Sequence, residues 1–421
     1  MASIGRWGAG VKRSLEELLP VGLIEREARA CGHRWRERKL GPAATVWLWV
    51  AQLLLPGCSS ARARHLCGGG ASAGAVCQAK ARLPLALLGR LHRHVAGVLA
   101  RGGAAGWRWR GHRVLGADGV CYHAPDAPAL RGRFGCKKPL GYPLVRALTL
   151  FELGGGAMLH QVPLPHRRQE APLLGRLLRH LSRGDVLVLD RAFASFGNLC
   201  LAAAAGVHLV ARLRAPLVAR RGTRRTVLAR LGPGDALVRW DRPRERTPAV
   251  SLRRWLRLPA GLELRQVTVR VRRRGYRTRR VTVVTSLLDP ARYPAAEVAK
   301  LYARRWEVET CFRHLKQTLD LGRLRCKTVA GVRKELLARA LAYNLVRATM
   351  AKAAALRGAD PERVSFADTL SWLLLAAADA PLRVTVNPAR PGRFEPRRVK
   401  AYRTNYLLLN RPRAEARRKV A

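Results

Sequence analysis

Apolar residues recur at helical spacing over the first quarter of the chain. From Ser14 to about Gly106 the pattern is broken by glycines and prolines, which predicts four or five short helices. The longest apolar run, "AATVWLWVAQLLLPG", is too short to span a bilayer and predicts a core helix. The region is rich in arginine, which makes it a candidate for DNA binding, although we identify no clear helix-turn-helix pattern.

The pattern becomes β-like from Trp107. The run "RVLGAD" predicts a strand, and "LVRALTLFELGGGAMLHQVPL" predicts a hairpin that turns at Gly154 to Gly156. After it, "EAPLLGRLLRHLS" predicts an amphipathic helix, "DVLVLD" a buried strand, "SFGNLCLAAAAG" a helix and "VHLVARL" another strand. Such alternation predicts an α/β fold built around one sheet.

Strand-like runs also fill the segment from about Arg214 to Leu288. Among them, "VRVRRRGYRTRRVTV" predicts a hairpin with a cationic turn, which is either a solvated turn or a finger that contacts DNA. A helix beginning near Pro294 follows and contains "YARRWEVETCFRHLKQTLDL". Two apolar helices, at 332–355 and 366–378, and a basic tail complete the chain.

The net charge of the chain limits the classes of function that the sequence can have. The chain has 80 Lys and Arg against 27 Asp and Glu, a formal net charge of +53, yet 48% of its residues are hydrophobic. Codon bias in a GC-rich genome explains why arginine exceeds lysine, but it does not explain the shortage of acids. A folded protein with this charge needs a polyanionic partner, most simply DNA or RNA.

The cysteines and the N terminus indicate the compartment. The nine cysteines show no CxxC pair and no Cys/His array suited to zinc, so we expect reduced thiols. The first twenty residues contain no continuous apolar segment of the signal-peptide type. These patterns predict a cytoplasmic protein with no membrane segment.

Acidic residues are so rare that each one is informative. Asp118 closes "RVLGADG", a short strand-like run that ends in a turn, and no Asp or Glu lies between it and Glu37. Asp190 stands at the exit of the buried run "VLVL". Asp185, at the entrance of that run and about 16 Å away, predicts a turn or cap. Asp126, in "HAPDAP", predicts a turn residue.

A third acid, Glu309, stands in a row of cationic and aromatic residues. In one continuous helix, a polar stripe about 60° wide would contain Tyr302, Arg305, Glu309 and Lys316, flanked by Trp306 and Arg313. One interpretation is a solvated face whose ion pairs contribute a few tenths of a kcal/mol. The other is that Glu309 converges with the two aspartates, forming an oxygen-ligand site for one or two hard divalent cations at a scissile phosphate.

These residues resemble a known family. The spacing Y-x2-R-x3-E-x6-K is similar to the Tyr-Arg-Glu-Lys (YREK) signature of a group of bacterial insertion-sequence transposases of the DDE type. "ADG" and "VLDRAF" precede it in the family's order, and Asn344 in "LAYNLVR" resembles the family's downstream helix. The resemblance covers most of the chain from about Cys77. It implies an RNase H-like α/β catalytic domain with a β-rich insertion between the second Asp and the Glu.

The same resemblance implies roles for individual residues. The catalytic triad would be Asp118, Asp190 and Glu309, which would bind two divalent cations, Mg²⁺ or alternatively Mn²⁺. The residues implied to contact transposon-end DNA are Tyr302, Arg305, Trp306, Arg313 and Lys316. Trp306 resembles a position that stacks on a displaced base, and packing is its alternative role.

These patterns divide the chain into five predicted segments. They are an N-terminal helical, DNA-binding domain (1–106), the first part of an RNase H-like core (107–213), a β-rich insertion (214–288), the helical completion of the core (289–380) and a basic C-terminal tail (381–421). The predicted function is metal-dependent cleavage at transposon ends followed by strand transfer. We expect double-stranded transposon ends and target DNA as partners, a homodimer in the synaptic complex, and a location at the nucleoid. The alternatives are an RNase H-like nuclease without strand transfer and a domesticated or inactive copy that only binds DNA.

Overall fold

A mixed sheet of nine strands forms the centre of the part of the chain that the computed structural model describes, namely residues 15–36, 39–67, 70–102, 108–137, 141–213, 225–248, 250–273, 276–377 and 380–388. In chain order the strands are β1 (Val114–His123), β2 (Leu144–Glu152), β3 (Met158–Pro165), β4 (Val186–Leu189), β5 (His208–Arg212), β6 (Arg225–Gly232), β7 (Asp235–Asp241), β8 (Gly261–Arg273) and β9 (Tyr276–Thr285).

The strands lie in the order β3-β2-β1-β4-β5-β9-β8-β7-β6. Strands β1, β4 and β5 are parallel, whereas β2, β3 and the later strands join by antiparallel pairing. The predicted hairpin at Gly154 to Gly156 is confirmed, and so are the strands predicted between Arg214 and Leu288. These later strands extend the same sheet through the pairing of β9 with β5. Strands β8 and β9 form the predicted cationic hairpin, but the side chains of 271–279 lie outside the described residues.

Helices cover both faces of the sheet, because neighbouring residues on its central strands point to opposite sides. In β4, Val186 and Val188 belong to one hydrophobic core and Leu187 and Leu189 to the other. This explains the uninterrupted apolar run of that strand, since a strand buried on both faces has no polar side. The helices over the second core are α7 (Leu174–Leu178), α8 (Phe196–Ala204) and α9 (Leu252–Leu256).

Of the five described N-terminal helices, three share the first core with the sheet, and those at 60–63 and 73–82 bury residues in a smaller third core. They are α1 (Val21–Ala30), α2 (Pro42–Leu54), α3 (Ser60–Ala63), α4 (Ala73–Arg82) and α5 (Leu85–Gly102), and α6 (Pro128–Phe134) follows β1. Helix α2 is the predicted core helix, with ten buried residues. No described helix has the length and the unbroken apolar surface that crossing a bilayer would require. The eight described cysteines form no disulfide with one another.

The stretch around Glu309 is not the single helix that its periodicity predicts. It consists of α10 (Ala295–Ala303), α11 (Arg305–Arg313) and a π-helical turn at His314–Thr318. The interruption falls at Arg304, whose guanidinium donates to the Leu153 carbonyl at 2.8 Å. The start of α10 after Pro294 is as predicted.

Two more helices complete the fold. They are α12 (Val329–Ala355) and α13 (Phe366–Leu375), and both lie where the apolar runs predict them. Among the described helices, α12 has the largest number of buried residues, 17 of its 27. It packs between the N-terminal helices and the β2–β3 hairpin. There Asn344 exchanges two hydrogen bonds with the Met158 backbone, at 2.8 and 2.9 Å. Asn344 therefore has a structural role in this chain.

Candidate active site

Two aspartates emerge side by side from the central strands. The parallel pairing of β1 with β4 ends at Ala117 and Leu189, and the next residues are Asp118 and Asp190. Neighbouring strands lie about 4.8 Å apart, so the two residues leave the sheet from adjacent positions. The predicted turn after Asp118 is wrong, because β1 continues to His123. It does so because β2, its partner on the other side, is longer than β4.

The surroundings of Asp118 disfavour its charged form. Burial raises the pKa of Asp118, and the negative charges of Asp190 and Glu309 act in the same direction. The Gly119 amide, which donates to the carboxylate at 2.8 Å, and the Arg305 guanidinium lower the pKa but do not offset burial. The three acids are therefore close enough to repel one another, although they come from three elements.

A glycine on β1 allows the glutamate helix to approach. Helix α11 lies on the sheet through Val308, which is fully buried. A Cβ atom on Gly116 would lie 2.5 Å from the Val308 Cγ2 atom, a distance that non-bonded carbons do not adopt. Only a glycine permits this contact. Glu309, the next residue along the helix, is consequently held near Asp118 of β1, with its side chain 39% exposed.

Arg305 joins two of the acids. Its Nη2 atom lies 2.9 Å from Glu309 Oε1, and its Nη1 atom lies 4.0 Å from Asp118 Oδ2. Its side chain is only 15% exposed. The hydrogen bond between Arg305 and Glu309 is the helical ion pair that the sequence permits, but the contact with Asp118 connects residues distant in the chain. The ion-pair interpretation of Glu309 and its interpretation as part of a convergent site thus involve the same side chains.

The donor set has the right chemistry for a cation but not the predicted spacing. Within the described ranges, no group of three or more His, Cys, Asp or Glu side chains is arranged to hold a metal ion. The three carboxylates therefore do not form a metal-sized cluster in the described part of this structure, and the guanidinium of Arg305 stands between two of them. Carboxylate oxygens are nevertheless the hard, anionic ligands that Mg²⁺ or Mn²⁺ prefers.

The predicted DNA-contact residues differ in their surroundings. Burial raises the pKa of Tyr302, which lies beside Arg305 and within range of Asp190. Trp306 is 52% exposed, and its ring centroid is 5.1 Å from the Arg305 guanidinium carbon. The remaining two lie further along the helix: Arg313 is exposed on α11, and Lys316 is half-buried within the π-helical turn. The predicted stripe from Tyr302 to Lys316 therefore spans two α-helices and a π-helical turn rather than one continuous helix.

The other two aspartates are engaged elsewhere. Asp185 is buried at the start of β4, where it accepts from Arg113 Nε at 3.1 Å and from the Ser182 amide at 2.7 Å. Asp126 pairs with Arg131 on the surface. Both observations agree with the turn and cap roles that the sequence indicates.

Sequence reasoning missed Glu170. A Cβ atom on Gly119 would lie 1.8 Å from Glu170 Oε1, so this carboxylate rests against the backbone next to Asp118. Burial raises the pKa of Glu170; Arg146, at 3.4 Å, lowers it, and Asp118 raises it further. The rarity of acids was the signal that could have found it.

Comparison with known proteins matches the sequence to one family. The sequence profile described as "Transposase DDE domain" matches residues 109–345, which include β1, β4 and α11. The chain is 30% identical over 293 residues to the transposase InsG for insertion sequence element IS4 of Escherichia coli (strain K12). This match covers 68% of the chain and 62% of that protein, so less than two thirds of the relative's length is represented. A cryo-EM structure of a piggyBac transposase synaptic complex with hairpin DNA aligns with a TM-score of 0.45 at 11% identity, over 87% of this chain and 80% of that one.

Proposed function

Since the chain belongs to the transposase DDE domain family, we propose that it is a DNA transposase that cleaves transposon ends and transfers the freed strands to target DNA. We assign it to the insertion-sequence group with the YREK signature, on the spacing of Tyr302, Arg305, Glu309 and Lys316. The strongest support is that Asp118 and Asp190 follow paired residues of adjacent strands, and that Arg305 contacts both Asp118 and Glu309.

Under this proposal the three carboxylates hold two divalent cations, Mg²⁺ by preference. Such ions would stabilise the attacking and leaving oxygens of an in-line displacement at phosphorus. The contribution of the protein is to present the aspartates rigidly from the sheet and the glutamate from α11. Because Asp118 is disfavoured in its charged form, it is a strong ligand for a positive charge.

The basic and aromatic residues of the same helix would position DNA. Arg305 and Lys316 supply charges for the sugar-phosphate backbone, with Arg313 beside them, while the exposed ring of Trp306 offers a surface on which a displaced base can stack. The core formed by β1 to β5 is RNase H-like in this proposal, supported by a mixed sheet with helices on both faces. The homodimer, the segment boundaries and the nucleoid location are parts of the same proposal.

The decisive experiment is a cleavage and joining assay. The full chain is incubated with Mg²⁺ and duplexes taken from the two flanks of its gene, where the proposal requires short inverted repeats. Joined products support a transposase. Cleavage without joining would instead indicate a nuclease, and a mobility shift without cleavage would indicate a protein that only binds DNA.

Matched variants connect the assay to the site. Asp118→Asn, Asp190→Asn and Glu309→Gln preserve shape but remove the charge that holds a cation, so each should abolish cleavage while DNA binding persists. Asp126→Asn removes the same charge from a surface ion pair and should cleave like the wild type. Full activity in any of the first three variants would refute the assignment of that residue.

A further inference from the structure

Arg305 has an unusual position for a residue expected to contact DNA. Both of its ion pairs are with carboxylates of the candidate site, Glu309 at 2.9 Å and Asp118 at 4.0 Å. At 15% exposure it is less accessible than either acid, whose exposed fractions are 39% and 30%. Its guanidinium is directed inward, towards the oxygens that the proposed function assigns to cations.

The neighbouring Arg304 provides a contrast. It donates to the Leu153 carbonyl at 2.8 Å, to Glu307 at 2.7 Å and to Glu362 at 3.0 Å, all outside the candidate site. These bonds fix the start of α11 independently of the candidate site. Arg305 can therefore change its side-chain rotamer without displacing the helix.

A guanidinium cannot relieve a charge conflict by losing its proton. If a divalent cation is taken up by Asp118 and Glu309, the positive charge of Arg305 opposes it and competes for the same oxygens. One of the two cations has to leave. The exposed alternative for Arg305 lies on the side of Trp306, whose ring centroid is already 5.1 Å from the guanidinium carbon.

We propose that the Arg305 guanidinium is the counter-ion of the carboxylates of the candidate site when no divalent cation is bound. When a divalent cation binds, Arg305 leaves these carboxylates and pairs with a DNA phosphate. This inference rests on the proposed function. It makes cation binding and DNA binding mutually reinforcing, because a phosphate that attracts Arg305 removes the competitor of the cation. By linkage, the two affinities must rise by the same factor.

The test is a calorimetric titration of the full chain with Mn²⁺ in the absence of DNA. Arg305→Gln should bind Mn²⁺ at least about fivefold more tightly than the wild type, the lower end of typical coupling between linked sites. Arg313→Gln removes the same charge from the same helix without touching the acids and should bind like the wild type. Asp118→Asn should lose the site. With flanking duplex present, the Mn²⁺ affinity should rise by a larger factor in the wild type than in Arg305→Gln, because only the wild type also loses a competing guanidinium.

Thermal melting checks that each variant folds, and Arg305→Lys serves as a second variant. Lysine keeps the charge but is a single point donor that cannot engage both acids, so its Mn²⁺ affinity should be intermediate. Equal affinity in the wild type, Arg305→Gln and Arg305→Lys, with the site still lost in Asp118→Asn, would overturn the counter-ion role and leave the proposed function standing. If no Mn²⁺ binding depends on Asp118, both the proposed site and the counter-ion role are wrong.

Discussion

Replacing Gly116 with alanine adds one Cβ atom, which should lower both the unfolding free energy and the rate of DNA cleavage. The added Cβ would lie 2.5 Å from Val308 Cγ2 and 3.1 Å from Leu153 Cδ2. Carbon atoms in contact prefer about 3.5 to 4.0 Å, so α11 has to retreat from β1 by roughly 1 Å. Overpacking of this size costs about 1 to 3 kcal/mol of unfolding free energy. The retreat also moves Glu309, and a misplacement of about 1 Å can reduce cleavage by about 100-fold.

Urea denaturation and single-turnover cleavage of end DNA measure the two effects. They should be compared in the wild type, Gly116→Ala, Val308→Ala and the double variant. Val308→Ala removes the opposing methyl groups and leaves a cavity, which should cost about 1 to 3 kcal/mol by itself. In the double variant the new methyl group occupies that cavity. The double variant should therefore lose less unfolding free energy than the sum of the losses in the two single variants, by about 0.5 to 3 kcal/mol.

Gly132→Ala is the matched control. Gly132 lies within α6, and an added Cβ there would meet nothing within 4 Å. Alanine should therefore stabilise the protein slightly, by up to about 1 kcal/mol, since glycine is a poor helix former. Wild-type stability in Gly116→Ala would refute the close-approach argument. Strictly additive losses in the double variant would show that Val308 is not the opposing group.

Four further results are expected. Lys316→Ala should reduce the slope of log K against log salt for DNA binding by about one, and an unchanged slope would remove Lys316 from the interface. Trp306→Ala should weaken cleavage more than end binding, by about 1 to 3 kcal/mol, whereas a fall in melting temperature would place the ring in the core. Asp185→Asn should retain cleavage but lower the unfolding free energy, because the buried Arg113 pair is lost; full loss of cleavage would contradict its structural role. Burial raises the pKa of Glu307 from 4.5 to about 9 despite two hydrogen bonds from Arg304, so the folded state keeps a proton that the unfolded chain has lost. Unfolding free energy should then fall as pH rises between these values, and Glu307→Gln should flatten that dependence in urea titrations at several pH values.

Local patterns were sufficient for most elements of the fold. The run "VLVL" predicted β4 because a strand buried on both faces has no polar residues. The glycines at 154–156 predicted the β2–β3 turn, and the strands between Arg214 and Leu288 appeared at their alternating runs. The rarity of acidic residues was the other useful signal. In so basic a chain, an isolated acid such as Asp118 is conspicuous, and the spacing around Glu309 pointed to the same family as the profile match.

Tertiary structure decided the properties that depend on more than one element. The length of β1 beyond Asp118 follows from pairing with β2, so it cannot be read from local periodicity. The position of Arg305 between two acids also required the packed sheet, because Asp118 reaches it across the fold. Sequence by itself therefore determined which residues carry charge and which segments are strands or helices, since these depend on neighbours along the chain. Only the tertiary structure decided which charges meet, because Coulomb energy depends on distance in space.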